Sequence, residues 1–172
     1  KAIELFAGIG LNGIEIVAQE GTPFHIDLPD AEIERITAAG RPSAGYLLLA
    51  QLLTNSPHNV VITTNFDHLT EDAVTKFTGR LPLVIGHENL AGYVTGHPSR
   101  PTVIKIHRDL LLEPKSATTA LQTMDKQWEP ALERIFSNYH PVFIGYAGQF
   151  GYKYVLSVLF KRPKLHINRR RI

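Results

Sequence analysis

The chain has 172 residues, room for one domain with a core of useful size, and its 44% hydrophobic and 20% charged content is that of a globular protein. The formal net charge of +2 is too small to argue for a nucleic-acid partner on its own. Cysteine is absent, which excludes disulfides, a thiolate nucleophile and cysteine-ligated zinc.

No apolar run approaches the roughly 18 residues of a membrane span. The sequence opens on Lys1 and its only methionine is Met124, so it is expected to be a piece of a longer protein. Residues 3–7 (IELFA) read as a first strand. They run into Gly8, Gly10 and Gly13, and an apolar helix with Ile14, Ile16 and Val17 follows. A strand, a glycine turn in Gly-x-Gly-x-x-Gly spacing and a helix let backbone N–H groups approach a pyrophosphate, although an ordinary tight turn has the same spacing. Asp30 caps a short helix over 31–39, which Gly40 and Pro42 end. Ser43 caps a leucine-rich helix through Leu53, and Asn55-Ser56-Pro57 stops it.

Residues 60–63 (VVIT) are all β-branched, the mark of a strand buried on both faces of a parallel sheet. The character then changes to Thr64, Asn65 and Asp67, small polar residues that favour turns and helix caps. A helix over 69–77 follows, then a short strand at 81–85 and a Gly-, Pro- and His-rich loop at 87–100. A strand at 103–106 ends at His107-Arg108-Asp109. After a loop at 110–116, Thr118 opens a long helix to about Asn138, with Leu121, Met124, Trp128, Leu132 and Ile135 at near-helical spacing. Pro130 is expected to kink or divide it. Residues 141–144 (PVFI) read as a buried strand ending at Gly145-Tyr146. A helix over 152–160 and a strand at 165–167 close the chain.

This alternation implies one α/β domain over 1–172, a Rossmann-like, doubly wound and mainly parallel sheet with helices on both faces. Such a sheet brings strand ends that are distant in sequence to one edge, where ligands bind. Asn65, His107 and Gly145 are therefore expected to share a rim.

Three segments, TTNFDHL (63–69), KIHRDL (105–110) and VFIGYAG (142–148), resemble in order and spacing those of the sirtuin superfamily. The likeness is greatest to the sirtuin-like NAD-hydrolysing domains of bacterial antiphage defence proteins. It implies an NAD-binding fold that cleaves the nicotinamide–ribose bond. Asn65 matches the family's catalytic Asn, Asp67 its acidic companion and His107 its catalytic His. On the cofactor side it implies Thr64 and Phe66, Gly145 and Tyr146 along the adenosine, and the Ala7-Gly8-Ile9-Gly10 turn. Phe6 and Gly10 stand where that turn usually carries Gly and Ser. Arg108 replaces the Gly after the His, a large cation that alters the loop or contacts the pyrophosphate. Protein-deacetylating sirtuins hold a small domain with four zinc-binding cysteines, which this chain cannot build. Hydrolysis of free NAD+ is thus favoured, with no metal.

The chemistry suits those side chains. Nicotinamide is cationic in the substrate and leaves neutral, so the site needs a held ribose, a positioned water and a base rather than a strong acid. An imidazole with an ordinary pKa near 6.5 can be that base. An amide can donate and accept while orienting water or ribose. The likeness further implies a cytoplasmic, homo-oligomeric abortive-infection effector with a companion sensor domain or protein. A non-catalytic module that binds NAD or ADP-ribose is the alternative. The structural alternative for Asn65 and Asp67 is a turn and a helix cap; for His107, a satisfied strand-end histidine. No metal-ligand spacing involves His68, His87 or His97. The basic tail (Lys161, Arg162, Lys164, Arg169 to Arg171) reads as a solvated end. LFAGIG (5–10) resembles the cofactor loop of cytosine-5 methyltransferases, but that chemistry needs a cysteine nucleophile.

Overall fold

The computed structural model describes residues 40–65, 67–113 and 124–142, together with Ala31, Arg35 and Ala39, which are helical. Its elements are α1 (Ala44–Asn55), β1 (Val60–Thr63), α2 (Leu69–Thr78), β2 (Leu83–Ile85), a 3-10 helix (Glu88–Tyr93), β3 (Thr102–Lys105) and α3 (Trp128–Asn138). The strands form a parallel sheet in the order β1-β3-β2. This is the α/β, Rossmann-like architecture expected from the alternation of elements.

The sheet's central strand is the last of the three in sequence. β3 is buried along its whole length, whereas β1 is half-buried. Its register aligns Val61 with Val103, Ile62 with Ile104 and Thr63 with Lys105. Alternate side chains leave opposite faces. Val61 packs with Ala50 and Leu53 of α1 and Ala73 and Val74 of α2. Val60, Ile62, Ile85, Ile104 and Ile106 pack on the other face, with Trp128, Leu132, Ile135 and Phe136 of α3. Helix α2 follows β1 on one face, and the chain after β3 leads to α3 on the other. The crevice between β1 and β3 is therefore a topological switch point, the usual ligand position in open α/β sheets.

Local chemistry sets the helix ends. Asp72 lies in the first turn of α2 and Lys76 in its last, each complementing the helix dipole. Gly79 closes it at φ 69°, its N–H donating to the Thr75 carbonyl. The expected long helix from Thr118 is corrected: Met124 to Gln127 are non-helical, and α3 begins at Trp128. The Asp125 carboxylate accepts the Gln127 N–H and its carbonyl accepts the Trp128 N–H, which turns the chain into the helix. Pro130 falls in the first turn, where its missing N–H would have had no partner, so it starts the helix rather than kinking it.

Other boundaries also move. β2 begins at Leu83 rather than 81, and β3 spans Thr102–Lys105 rather than 103–106. The loop at 87–100 contains the 3-10 helix, with the His87 ring accepting the Asn89 N–H. Pro141 and Val142 are not strand, and Val142 is 81% exposed. The rest of that expected strand lies outside the described residues. So do the first strand and its glycine turn, residues 118–123, and the helix and strand expected after 150. Among the described residues no helix is long and apolar enough to cross a membrane.

Candidate functional site

Asn65 and His107 stand at equivalent places. Thr63 and Lys105 are paired across β1 and β3, and each candidate lies two residues beyond its member of that pair. The Ile106 N–H donates to the Thr63 carbonyl at 3.1 Å, so the ladder runs one step past the strands before the segments diverge. Amide and imidazole thus leave the same edge of neighbouring strands. They differ in burial: Asn65 is half-buried, and His107 is only 5% exposed.

The segment after β1 is shaped by its own side chains. The Asn65 N–H donates to Thr63 Oγ1 at 3.0 Å, and the Leu69 N–H to Asp67 Oδ1 at 3.0 Å. Asp67 therefore receives the first N–H of α2, the helix-start role that its residue type favours. Thr64 is half-buried beside it, and Phe66 lies outside the described residues. From α1, Tyr46 approaches Asn65 and Asp67. Burial, with the nearby charge of Asp67, pushes the Tyr46 hydroxyl up to about 12.

The segment after β3 centres on a lysine. Lys105 is fully buried on the α2 face of the sheet. Its Nζ lies 2.7 Å from Asp109 Oδ2, 2.6 Å from Glu71 Oε1 and 2.5 Å from the Asp67 carbonyl oxygen. His68 Nε2 lies 3.0 and 3.1 Å from the two Asp109 oxygens. The Leu111 N–H donates to Asp109 Oδ1 at 3.0 Å. Burial alone would raise the Asp109 pKa, but the bonds from Lys105, Leu111 and His68 outweigh it and hold the carboxyl below its ordinary range. Glu71 goes the other way. Burial raises it against the pull of Lys105, whose contact has the geometry of an ion pair rather than a hydrogen bond.

Arg108 takes a left-handed backbone conformation, φ 71°, that favours glycine. Its guanidinium grips the buried Glu88 carboxylate, with Nη2 at 2.6 Å from Oε1 and Nε at 3.0 Å from Oε2. The cation after His107 is thus committed to the 3-10 helix. Gly86 completes the rim: its carbonyl accepts the Asp109 N–H at 2.7 Å, and a Cβ placed on it would stand 2.7 Å from Asp109 Cβ. The cofactor candidates Ala7, Gly8, Gly10, Gly145 and Tyr146 lie outside the described residues.

His68, Glu71 and Asp109 bring potential ligand atoms within 4.8 Å of one another. The donor set does not suit a divalent ion, because the Lys105 ammonium already contacts two of its three members. An ion there would have to displace a buried positive charge. An open hollow lined by Arg80, Leu81, Ser99 and Arg100 sits at the opposite edge, where β2 and β3 begin, away from these groups. Tyr46, His68, Glu71, Glu88 and Lys105 are additions to the sequence-based candidates. The four-residue spacing of Lys105 and Asp109 was their one sequence signal.

No protein-family model matches the chain, and no curated protein matches it.

Proposed function

We infer that the chain is an NAD+ hydrolase, cleaving the nicotinamide–ribose bond to give nicotinamide and ADP-ribose. The observation that supports this reading is the switch-point crevice. An amide, Asn65, and an imidazole, His107, follow paired residues of adjacent parallel strands whose helices lie on opposite faces. In this mechanism the dinucleotide's ribose lies across the β1–β3 rim. Asn65 holds the ribose or the attacking water. His107 takes a proton from a ribose hydroxyl or from that water, a contribution of about 10²–10⁴-fold. Asp67 shapes the segment carrying Asn65. Arg108 shapes the loop through Glu88 rather than reaching for the pyrophosphate. No metal is needed, since the leaving group departs neutral. By its likeness to the antiphage domains, the chain acts in the cytoplasm as the effector part of an oligomeric abortive-infection protein, switched on by a companion sensor.

The burial of His107 favours a second reading, in which the rim binds NAD or ADP-ribose without turnover and signals to a partner domain. Chromatography of protein incubated with NAD+ separates the two. Nicotinamide and ADP-ribose released in equal amounts support the hydrolase. Saturable binding with intact NAD+ recovered supports the module and overturns the hydrolase.

A further inference from the structure

Two rim segments carry the proposed catalytic pair, and a single ammonium joins them. Lys105 sits at the end of β3, two residues before His107, and bonds to the carbonyl of Asp67, two residues after Asn65. It also contacts Asp109, two residues past His107, and Glu71 in the first turn of α2. The His68–Asp109 contact is a further cross-link between the same segments. Among the described residues, backbone pairing between the two segments reaches only to the Ile106–Thr63 bond. Beyond it, Lys105 with its carboxylate and carbonyl partners and the His68–Asp109 contact hold the segments together.

We propose that Lys105 is a positioning residue: through Asp67 and Asp109 its ammonium fixes how the segment bearing Asn65 faces the segment bearing His107. The proposal rests on the hydrolase reading. Its atoms do not touch the substrate, being fully buried among the groups they hold. A lysine suits the task because one compact charge with three donors can meet two carboxylates and a carbonyl from one point. Charge balance fits as well: Asp109, held below its ordinary range, gives the ammonium a counter-charge at 2.7 Å. Misplacing a catalytic group by about 1 Å can cost about 10²-fold in rate. Loss of the ammonium should therefore act on kcat and leave ground-state binding of the dinucleotide little changed.

The test compares wild type, Lys105→Met and the triple variant Glu71→Gln/Lys105→Met/Asp109→Asn. The triple variant removes all three charges together and so avoids the unpaired buried carboxylates that Lys105→Met leaves. Two readouts are taken: steady-state nicotinamide release, and the NMR resonances of the Asn65 side-chain amide and the His107 ring. The expected result for the triple variant is a fall in kcat of about 10²-fold, with KM for NAD+ within about threefold. Its Asn65 and His107 resonances shift or split, while the core resonances of Trp128 stay in place. A folded triple variant with unmoved Asn65 and His107 resonances, or with wild-type kcat, overturns the proposal. Should wild type release no nicotinamide, the hydrolase reading fails by itself, and the resonances alone decide whether Lys105 sets the rim.

Discussion

The two rim segments are built to one plan and used differently. Counted from the last residue of each strand, Thr63, Asn65, Asp67 and Leu69 stand at the same steps along β1 and its exit as Lys105, His107, Asp109 and Leu111 along β3 and its exit. In each, the aspartate four residues past the strand pair accepts the N–H two residues further on, both at 3.0 Å. After β1 this bond starts a helix and leaves the segment half-buried. After β3 it closes a tight turn that sinks against a lysine, and the aspartate becomes part of a charge network. The same backbone device thus presents a reachable amide on one side of the crevice and a shielded imidazole on the other.

Removing each aspartate breaks the comparison most sharply. Asp109→Ala takes a counter-charge from the buried Lys105, so it should cost about 3–5 kcal/mol in urea unfolding. Asp67→Ala loses a helix-start bond and should cost about 1 kcal/mol. Equal costs would mean that the charge network adds nothing to the turn. Gly86→Ala comes next, at about 1–3 kcal/mol, because its Cβ would meet the backbone-fixed Cβ of Asp109 at 2.7 Å. It should disturb His107 while leaving the Asn65 segment unchanged, as an NMR shift map would display.

Acid separates the two carboxyls of the network. Asp109 is held below its ordinary pKa, so its contribution is complete above about pH 4 and is lost as pH falls further. Glu71 is raised, so its contribution is present below about pH 4 and is lost as pH climbs through its folded value. Urea midpoints should therefore lose their acid-side decline in Asp109→Asn. In Glu71→Gln they should lose their decline on the rising side. Like slopes in both variants would contradict the assigned charges. The smallest effect expected is a gain. Glu88→Gln/Arg108→Gly removes the strain at φ 71° without orphaning a buried carboxylate, and should stabilise by about 1 kcal/mol.

Backbone-level features were legible in the sequence wherever composition leaves few choices. The β-branched run at 60–63 could only be a strand, and the switch to Thr64 and Asn65 marked its end; the expected burial on both faces is corrected, since β1 is half-buried and β3 takes the buried central place. The strand ending before His107 was readable in the same way. Pro130 misled because a proline in helical spacing looks alike inside a helix and in its first turn; the Asp125 turn decides between them. Lys105 was missed because charged residues are seldom fully buried unless paired, and its partners lie both four and 34 positions away. Tyr46 approaches the segment after β1 from α1, a relation that no local pattern encodes.

A double-substitution cycle on nicotinamide release tests the pairing of Asn65 with His107 across the ribose most directly. Asn65→Ala and His107→Ala should each lower kcat by at least about 10²-fold. Groups that act as a unit are strongly non-additive, so the double variant should be little worse than either single one. Turnover near wild type in either single variant, or losses that simply multiply in the double, would contradict the account.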